Sequence, residues 1–148
     1  MRVFELAISM EEESIKLYTA AQKKDLSPGS IKFLKELVTE EEKHKKKISE
    51  AIKDPSKMEE IGQSEDVVQD LKIVDYLKDV LISDDADYQQ ILIYAGKREK
   101  TTHDFYVELA KKYRDSHIGR MFAKLAQEEL KHKYKLEREY DDIVLKYM

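Results

Sequence analysis

Two twelve-residue stretches decide the fold: LVTEEEKHKKKI at 37–48 and LAQEELKHKYKL at 125–136. Each stretch begins and ends with an apolar residue and has two ionisable residues on the same spacing between them. From the first of these four residues to the last, the steps are four, three and four positions. That spacing places all four on one face of a helix. The ionisable pairs are Glu41 with His44 and Glu129 with His132. A buried carboxylate without a partner is very costly, so such groups normally pair, bind a proton or coordinate a metal. The stretches therefore predict two helices that contribute to a polar centre.

An internal repeat extends this pattern to two further helices. A shift of 88 residues, without a gap, places Glu11 on Glu99, Tyr18 on Tyr106, Glu40 on Glu128, Glu41 on Glu129 and His44 on His132. One Glu-x-x-His motif is a weak signal in a chain so rich in glutamate, but a register that matches all these residues is specific. The chain thus contains one helix pair twice. Each pair carries a Glu followed seven residues later by Tyr, and then Glu-x-x-His.

The periodicity predicts four long helices. They cover about 2–24, 28–53, 87–113 and 116 to beyond 140, with a weaker helical segment at roughly 65–81. Ser27 and Pro28 suit the start of the second helix, and Asp54-Pro55 ends it. Short, long and short connections are typical of a ferritin-like bundle. We expect one all-α domain over 1–148, a ferritin-like four-helix bundle in which the helix pairs 1–53 and 87–141 are joined by one long crossover, 54–86.

Composition supports this fold and excludes several kinds of protein. Of the 148 residues, 39% are charged, while only four are Gly and two are Pro, which favours long helices over a many-turned β-protein. Cysteine is absent, which excludes disulfides, thiolate zinc sites, iron–sulfur clusters and a Cys nucleophile. The net charge of −4 does not suit a nucleic-acid partner. No apolar stretch suits a membrane span or a signal peptide, so we expect a cytoplasmic protein.

The predicted polar centre has the charge and the ligand types of a two-metal site. Four glutamates with two neutral histidines carry a charge of −4, which balances two divalent ions. Oxidation to two trivalent ions leaves +2, which a bridging oxo or hydroxo group neutralises. Mixed carboxylate and imidazole ligands suit iron or manganese, and zinc is not excluded. The alternative is that the Glu-x-x-His pairs are surface pairs on charged helices.

The motifs SMEEESIKLY, TEEEKH, KREKTTHDFY and QEELKH together resemble the rubrerythrin-type di-iron carboxylate proteins of the ferritin-like superfamily, without a rubredoxin domain. The resemblance implies two iron ions per chain. It implies that Glu11 and Glu99 are single-Glu ligands, Glu41 and Glu129 bridging carboxylates, and His44 and His132 terminal nitrogen ligands. It also implies that Tyr18 and Tyr106 donate hydrogen bonds to ligand carboxylates. The alternative is that they are ordinary core aromatic residues whose hydroxyls reach solvent.

Two features depart from that family. Rubrerythrins that reduce peroxide carry an extra glutamate three residues after the third-helix ligand, and this chain has Thr102 there. The chain has no cysteine, so electrons would come from a separate donor. His103 lies one turn beyond Glu99, and it is a seventh ligand, a base near the metals that replaces the missing glutamate, or a partly buried packing histidine. We expect His117 to be a surface residue.

The resemblance implies a di-iron oxidoreductase that reduces hydrogen peroxide or dioxygen. Its electrons would come from an external donor such as rubredoxin, and the protein would be a homodimer. Three alternatives stay open on the sequence. They are ferritin-like oxidation and storage of iron, oxygenation of an organic substrate, and a helical scaffold without metal.

Overall fold

The computed structural model describes residues 2–62, 83 and 85–146. These residues form five helices and no strand: α1 (Arg2–Ala21), α2 (Pro28–Ile52), α3 (Pro55–Glu60), α4 (Tyr88–Lys112) and α5 (His117–Lys146). The all-α prediction is therefore confirmed. The four long helices begin and end within three residues of the predicted positions wherever a position was given. The short helix α3 was not predicted, and the weaker helical segment predicted at 65–81 lies outside the described residues.

Side-chain caps fix where α2 and α4 begin. The Ser27 hydroxyl accepts a hydrogen bond from the backbone N–H of Ser30 at 3.1 Å, ahead of α2. Asp87 precedes α4 and accepts from the backbone N–H of Gln90, while the Gln90 side chain accepts from the N–H of Asp87, both at 2.8 Å. Such a reciprocal cap satisfies two backbone donors that a helix start leaves unpaired. Because the caps fix the first residue of α2 and of α4, they also fix which face of each helix carries its glutamates.

The helices pack as two hairpins, α1 with α2 and α4 with α5, and the hairpins meet through α1 with α4 and α2 with α5. Residue 11 meets residue 106, and residue 18 meets residue 99, so α1 and α4 are antiparallel. Since α1 also runs antiparallel to α2 across a short link, α2 and α4 are parallel. The end of α2 and the start of α4 therefore lie at opposite ends of the bundle, as in the ferritin-like topology.

Two apolar clusters fill the bundle on either side of the predicted polar centre. One cluster contains Phe4 and Phe122, whose stacked rings have centroids 5.9 Å apart. The other contains Leu34, Leu92 and Leu136. Along α1, the residues up to position 10 join the first cluster and those from position 18 join the second. The ionisable residues thus form a layer between the two apolar clusters.

No helix within the described parts of the chain is long and apolar enough to cross a membrane.

Candidate metal centre

The six predicted ligands converge in the polar layer, and none is more than 3% exposed. Glu11 lies on α1, Glu41 and His44 on α2, Glu99 on α4, and Glu129 and His132 on α5. Each pair on α2 and α5 is separated by three residues, so both members face the same side of their helix. The four long helices therefore all contribute to one buried cluster.

The cluster divides into two overlapping groups of potential ligands. One group is Glu11, Glu41, His44 and Glu129, and the other is Glu41, Glu99, Glu129 and His132. Within each group, one ligand atom per residue lies within 4.8 Å of every other. Glu41 and Glu129 belong to both groups, one from α2 and one from α5. Two neighbouring cations, one held by each group, would together use every member of both groups.

Both histidines present Nδ1 to the carboxylates. Nδ1 of His44 lies 2.8 Å from Oε1 of Glu129 and 3.4 Å from Oε1 of Glu41. Nδ1 of His132 lies 2.9 Å from Oε1 of Glu41 and 3.7 Å from Oε2 of Glu99. The shortest contact of each histidine is thus with the glutamate of the opposite Glu-x-x-His motif. These contacts join α2 to α5 through the centre.

Several atoms in the layer have no hydrogen-bond partner among the described residues. They are Oε2 of Glu11, both carboxylate oxygens of Glu41, Oε2 of Glu99, Oε2 of Glu129 and Nδ1 of His132. Each buried polar atom left without a partner costs about 1–3 kcal/mol, and native proteins retain few of them. Nδ1 of His132 and Oε1 of Glu41 are close to each other and yet are not aligned as a hydrogen bond. Electron-pair donors that converge without bonding to each other fit metal cations, so these residues suit the carboxylate-bound metals that the sequence predicts.

The two predicted tyrosines make equivalent hydrogen bonds in the two halves of the internal repeat. The Tyr18 hydroxyl donates to Oε1 of Glu99 at 2.6 Å, and the Tyr106 hydroxyl donates to Oε1 of Glu11 at 2.7 Å. Burial and the nearby carboxylates raise the pKa of both hydroxyls well above the usual value, so both remain donors. Each tyrosine therefore holds one oxygen of a carboxylate, while the other oxygen is left for a ligand role.

Burial of the glutamates and concentrated negative charge raise the pKa values of Glu11, Glu129, His44 and His132 in the layer. Burial and the charge of Glu41 raise the pKa of Glu11 to about 7. Burial alone would lower the pKa of His44, but the carboxylates of Glu11 and Glu41 outweigh it and raise that pKa to about 10. The pKa of His132 is raised to about 9 in the same way, chiefly by Glu41. Without a metal, the layer therefore retains protons that a divalent cation would displace.

A further pair of carboxylates lies outside the predicted ligand set. Oε2 of Glu128 is 3.0 Å from Nε2 of His44, the ring nitrogen that faces away from the cluster. A carboxylate oxygen of Glu40 lies within 4.8 Å of a nitrogen of His44 and of His132. Sequence reasoning gave these two glutamates no role, although the repeat of 88 residues places one on the other.

The remaining two histidines do not join the centre. Nδ1 of His103 lies 2.9 Å from Oδ1 of Asp104, and His103 belongs to none of the groups of potential ligands in the described residues. His117 is exposed, as expected, and its backbone N–H donates to Glu60 at 2.8 Å. The position that holds an extra glutamate in peroxide-reducing rubrerythrins is Thr102, which is 3% exposed. Among the described residues, His103 thus stays outside the groups of potential ligands, and position 102 holds a buried threonine in place of a carboxylate.

Comparison with known proteins agrees with this geometry. Residues 3–140 match the sequence profile of the family described as Rubrerythrin, which covers nearly the whole chain. No curated protein and no solved structure matched the chain. The match extends from the start of α1 to the last third of α5, so it includes all four helices that carry the buried Glu and His residues. The chain belongs to the rubrerythrin family.

Proposed function

We propose that this protein is a di-iron oxidoreductase that reduces hydrogen peroxide or dioxygen with electrons from an external donor. For peroxide the balanced reaction is H2O2 + 2 H+ + 2 e− → 2 H2O. The donor would be a small redox protein such as rubredoxin, and the active form would be a homodimer in the cytoplasm. The family suggests a di-iron protein, and the buried Glu and His groups are able to bind metal.

The observation that carries this proposal is the sharing of Glu41 and Glu129 between the two groups of ligands. A single cation needs only one such group. Two groups that share two carboxylates suit a pair of ions, for which Glu41 and Glu129 would be the ligands held in common. When bound, the iron pair would supply the two electrons that the reaction needs and a template for the oxygens of the oxidant.

The protein's own residues have three tasks in this proposal. Four carboxylates neutralise two divalent ions, and their burial at 1% exposure or less keeps bulk water away from the centre. The hydroxyls of Tyr18 and Tyr106 fix the orientation of Glu99 and Glu11. Glu11 and Glu99 each belong to only one group, so the tyrosine can hold one oxygen of each carboxylate while the other oxygen adjusts as the metal charge changes. The chain thereby accommodates two redox states without a large uncompensated charge.

The first test is the metal content after anaerobic ferrous loading and desalting. We expect two irons per wild-type chain, and fewer than half an iron per chain in the double variant Glu41→Ala with Glu129→Ala. A matched control is Glu36→Ala with Glu42→Ala, which removes two exposed glutamates of α2 and should retain both irons. Less than half an iron in the wild type would overturn the proposal.

The second test is the rate at which the reduced protein is reoxidised. With the iron-loaded, reduced wild type in a stopped-flow instrument, we expect reoxidation to be faster with hydrogen peroxide than with dioxygen at equal concentration. Peroxide that reacts no faster than dioxygen would exclude the peroxidase version and leave the oxidase version. Retention of many ferric ions per chain in a particle of about twenty-four chains would instead indicate iron storage.

A further inference from the structure

A groove lies on the outer side of the hairpin formed by α4 and α5. Its volume is about 520 Å³, within the range of about 300–1,000 Å³ that small-molecule sites occupy. The side chains that line it come from 92–101 of α4 and 133–141 of α5, and none of them belongs to the groups of potential metal ligands. The function proposed above therefore gives this groove no role.

The floor of the groove is apolar. Leu92 and Leu136 lie at its base and also belong to one of the two apolar clusters of the bundle. Ile93 at its edge is 46% exposed, and Tyr140 is half-buried. Exposed apolar surface rimmed by polar side chains is typical of a binding site. The groove thus extends the apolar interior to a surface that an apolar chain would cover.

Gly96 keeps the middle of the groove open. It lies within α4 and lines the groove, and a Cβ built on it would meet nothing within 4 Å. Glycine destabilises a helix interior relative to alanine, because it loses more backbone freedom on folding. Neither a close contact nor a positive φ requires a glycine here in the described part of the chain. Its evident effect is to leave space on this side of α4, which supports a role for that space.

Three lysines line the groove, and two of them have acidic partners. Lys100 donates to both carboxylate oxygens of Asp104 at 2.8 Å, and Lys133 pairs with Glu137. Lys97 is exposed and makes no ion pair with any residue that the structure describes. The groove therefore offers one uncommitted positive charge, which suits a ligand with one negative charge.

The far end of the groove has the opposite charge. The Tyr88 hydroxyl donates to Glu139, so Tyr140 lies level with the start of α4. Nine positions of α4 separate that level from Lys97, which is about 14 Å along the helix axis. Asp141 lies beside Tyr140 and is exposed, without an ion pair to the described residues. A ligand of this length with its anionic group at Lys97 would place its other end near a carboxylate.

We propose that this groove binds a free amphipathic monocarboxylate, of the class of a medium-chain fatty acid, with its carboxylate on Lys97 and its chain along Gly96 toward Tyr140. The chain covers Ile93 and the leucines at the base. Asp141 repels a second carboxylate and so selects an acid with one charged end. The inference goes beyond the proposed redox function and does not depend on it, because the groove contains no candidate metal ligand.

The test is isothermal titration calorimetry of the full chain with sodium decanoate below the concentration at which it forms micelles. We expect one molecule per chain and equal affinity in the manganese-loaded and the metal-free protein. Decanol lacks the charge and decanedioate has a second one, so both should bind more weakly. Binding only to the metal-loaded form would mean that decanoate coordinates the metals, and it would overturn the proposal. If the chain took up no manganese, the metal centre would be overturned and the metal-free titration would still test the groove.

Matched substitutions test the position of the carboxylate. Lys97→Glu should weaken decanoate binding about 5- to 30-fold, because it replaces attraction by repulsion at an exposed site. Lys47→Glu makes the same change of charge at an exposed position of α2 and should bind as wild type does. Asp141→Asn should strengthen the binding of decanedioate and leave that of decanoate unchanged. Equal weakening by Lys97→Glu and Lys47→Glu would indicate a general effect of net charge and overturn the proposal.

A side chain at position 96 tests the path of the apolar chain. Gly96→Leu fills the groove from a position where a Cβ meets nothing, so the variant should keep its helix content by circular dichroism and lose decanoate binding. Unchanged affinity in Gly96→Leu would place the ligand elsewhere. Sedimentation velocity tests a second copy of the chain as the occupant. A wild-type dimer that does not bind decanoate, and that Gly96→Leu converts to monomers, would assign the groove to that contact and overturn the proposal.

Discussion

The hydroxyl of Tyr106 donates a hydrogen bond to the buried carboxylate of Glu11 on α1, and the effect of its loss on stability can be measured. Tyr106→Phe leaves Oε1 of Glu11 without its partner at 2.7 Å and changes the volume of the core very little. A hydrogen bond to a charged group contributes about 1.5–3 kcal/mol. We expect the free energy of unfolding of the metal-free protein at pH 8 to fall by about that amount, as measured by urea denaturation.

Matched substitutions of other tyrosines provide the controls. Tyr18 makes the equivalent bond to Glu99, so Tyr18→Phe should lower the free energy of unfolding by a similar amount. The side chain of Tyr134 is 57% exposed, and Tyr134→Phe should have almost no effect. If Tyr106→Phe behaved as Tyr134→Phe does, the hydrogen bond to Glu11 would contribute nothing to the stability of the fold.

At the scale of helices, the turn between α4 and α5 depends on one glycine. A Cβ on Gly119 would lie 2.1 Å from the backbone oxygen of Tyr113, far inside contact distance. The backbone N–H of Gly119 also donates to the Ser116 hydroxyl at 3.0 Å, at the start of α5. The glycine thus allows α5 to begin close against the end of α4, and this places Glu129 and His132 opposite α2.

Alanine substitutions at two glycines should therefore have effects of opposite sign. Gly119→Ala forces the backbone of the turn to move, and overpacking of this kind costs about 1–3 kcal/mol or more. Gly96 lies within α4, and a Cβ there would meet nothing within 4 Å. Gly96→Ala should raise the free energy of unfolding by about 0.5–1 kcal/mol, because alanine favours the helix. Thermal denaturation of the two variants beside wild type would test both signs, and equal stabilisation by both would contradict the close approach.

The long helices could be predicted from the sequence because each has its own periodicity and breakers. The polar centre could be predicted because Glu11, Glu41 and their repeats interrupt apolar faces in a gapless register. The contact between Glu128 and His44 could not, since it depends on how a ring turns between two helices, and the two residues are 84 positions apart in the sequence. The contact of His117 with Glu60 could not be predicted either, because Glu60 belongs to a helix of six residues with no periodicity of its own.

At the scale of the whole molecule, the polar layer sets how stability changes with pH. The pKa of Glu11 is about 7 in the folded chain and 4.5 as the ordinary value, so its stabilising contribution is complete below pH 4.5 and is lost as pH rises through 7. His44 and His132 have folded pKa values of about 10 and 9 against 6.5. Their contributions are complete below pH 6.5 and are lost as pH rises through 9 and 10. All three groups therefore make the metal-free protein less stable as pH increases.

Metal binding should have the opposite dependence on pH, because a cation needs these same groups deprotonated. We expect the thermal midpoint of the metal-free protein to fall between pH 6 and pH 9. The rise in midpoint caused by manganese(II) should grow over the same range, to about 5–10 °C where free metal exceeds its Kd about 100-fold. The double variant Glu41→Ala with Glu129→Ala should show no rise at either pH. Differential scanning calorimetry with and without the metal measures both quantities. A rise in midpoint that stayed constant from pH 6 to pH 9 would mean that the ion binds without displacing protons from the layer, and therefore somewhere other than the buried carboxylates.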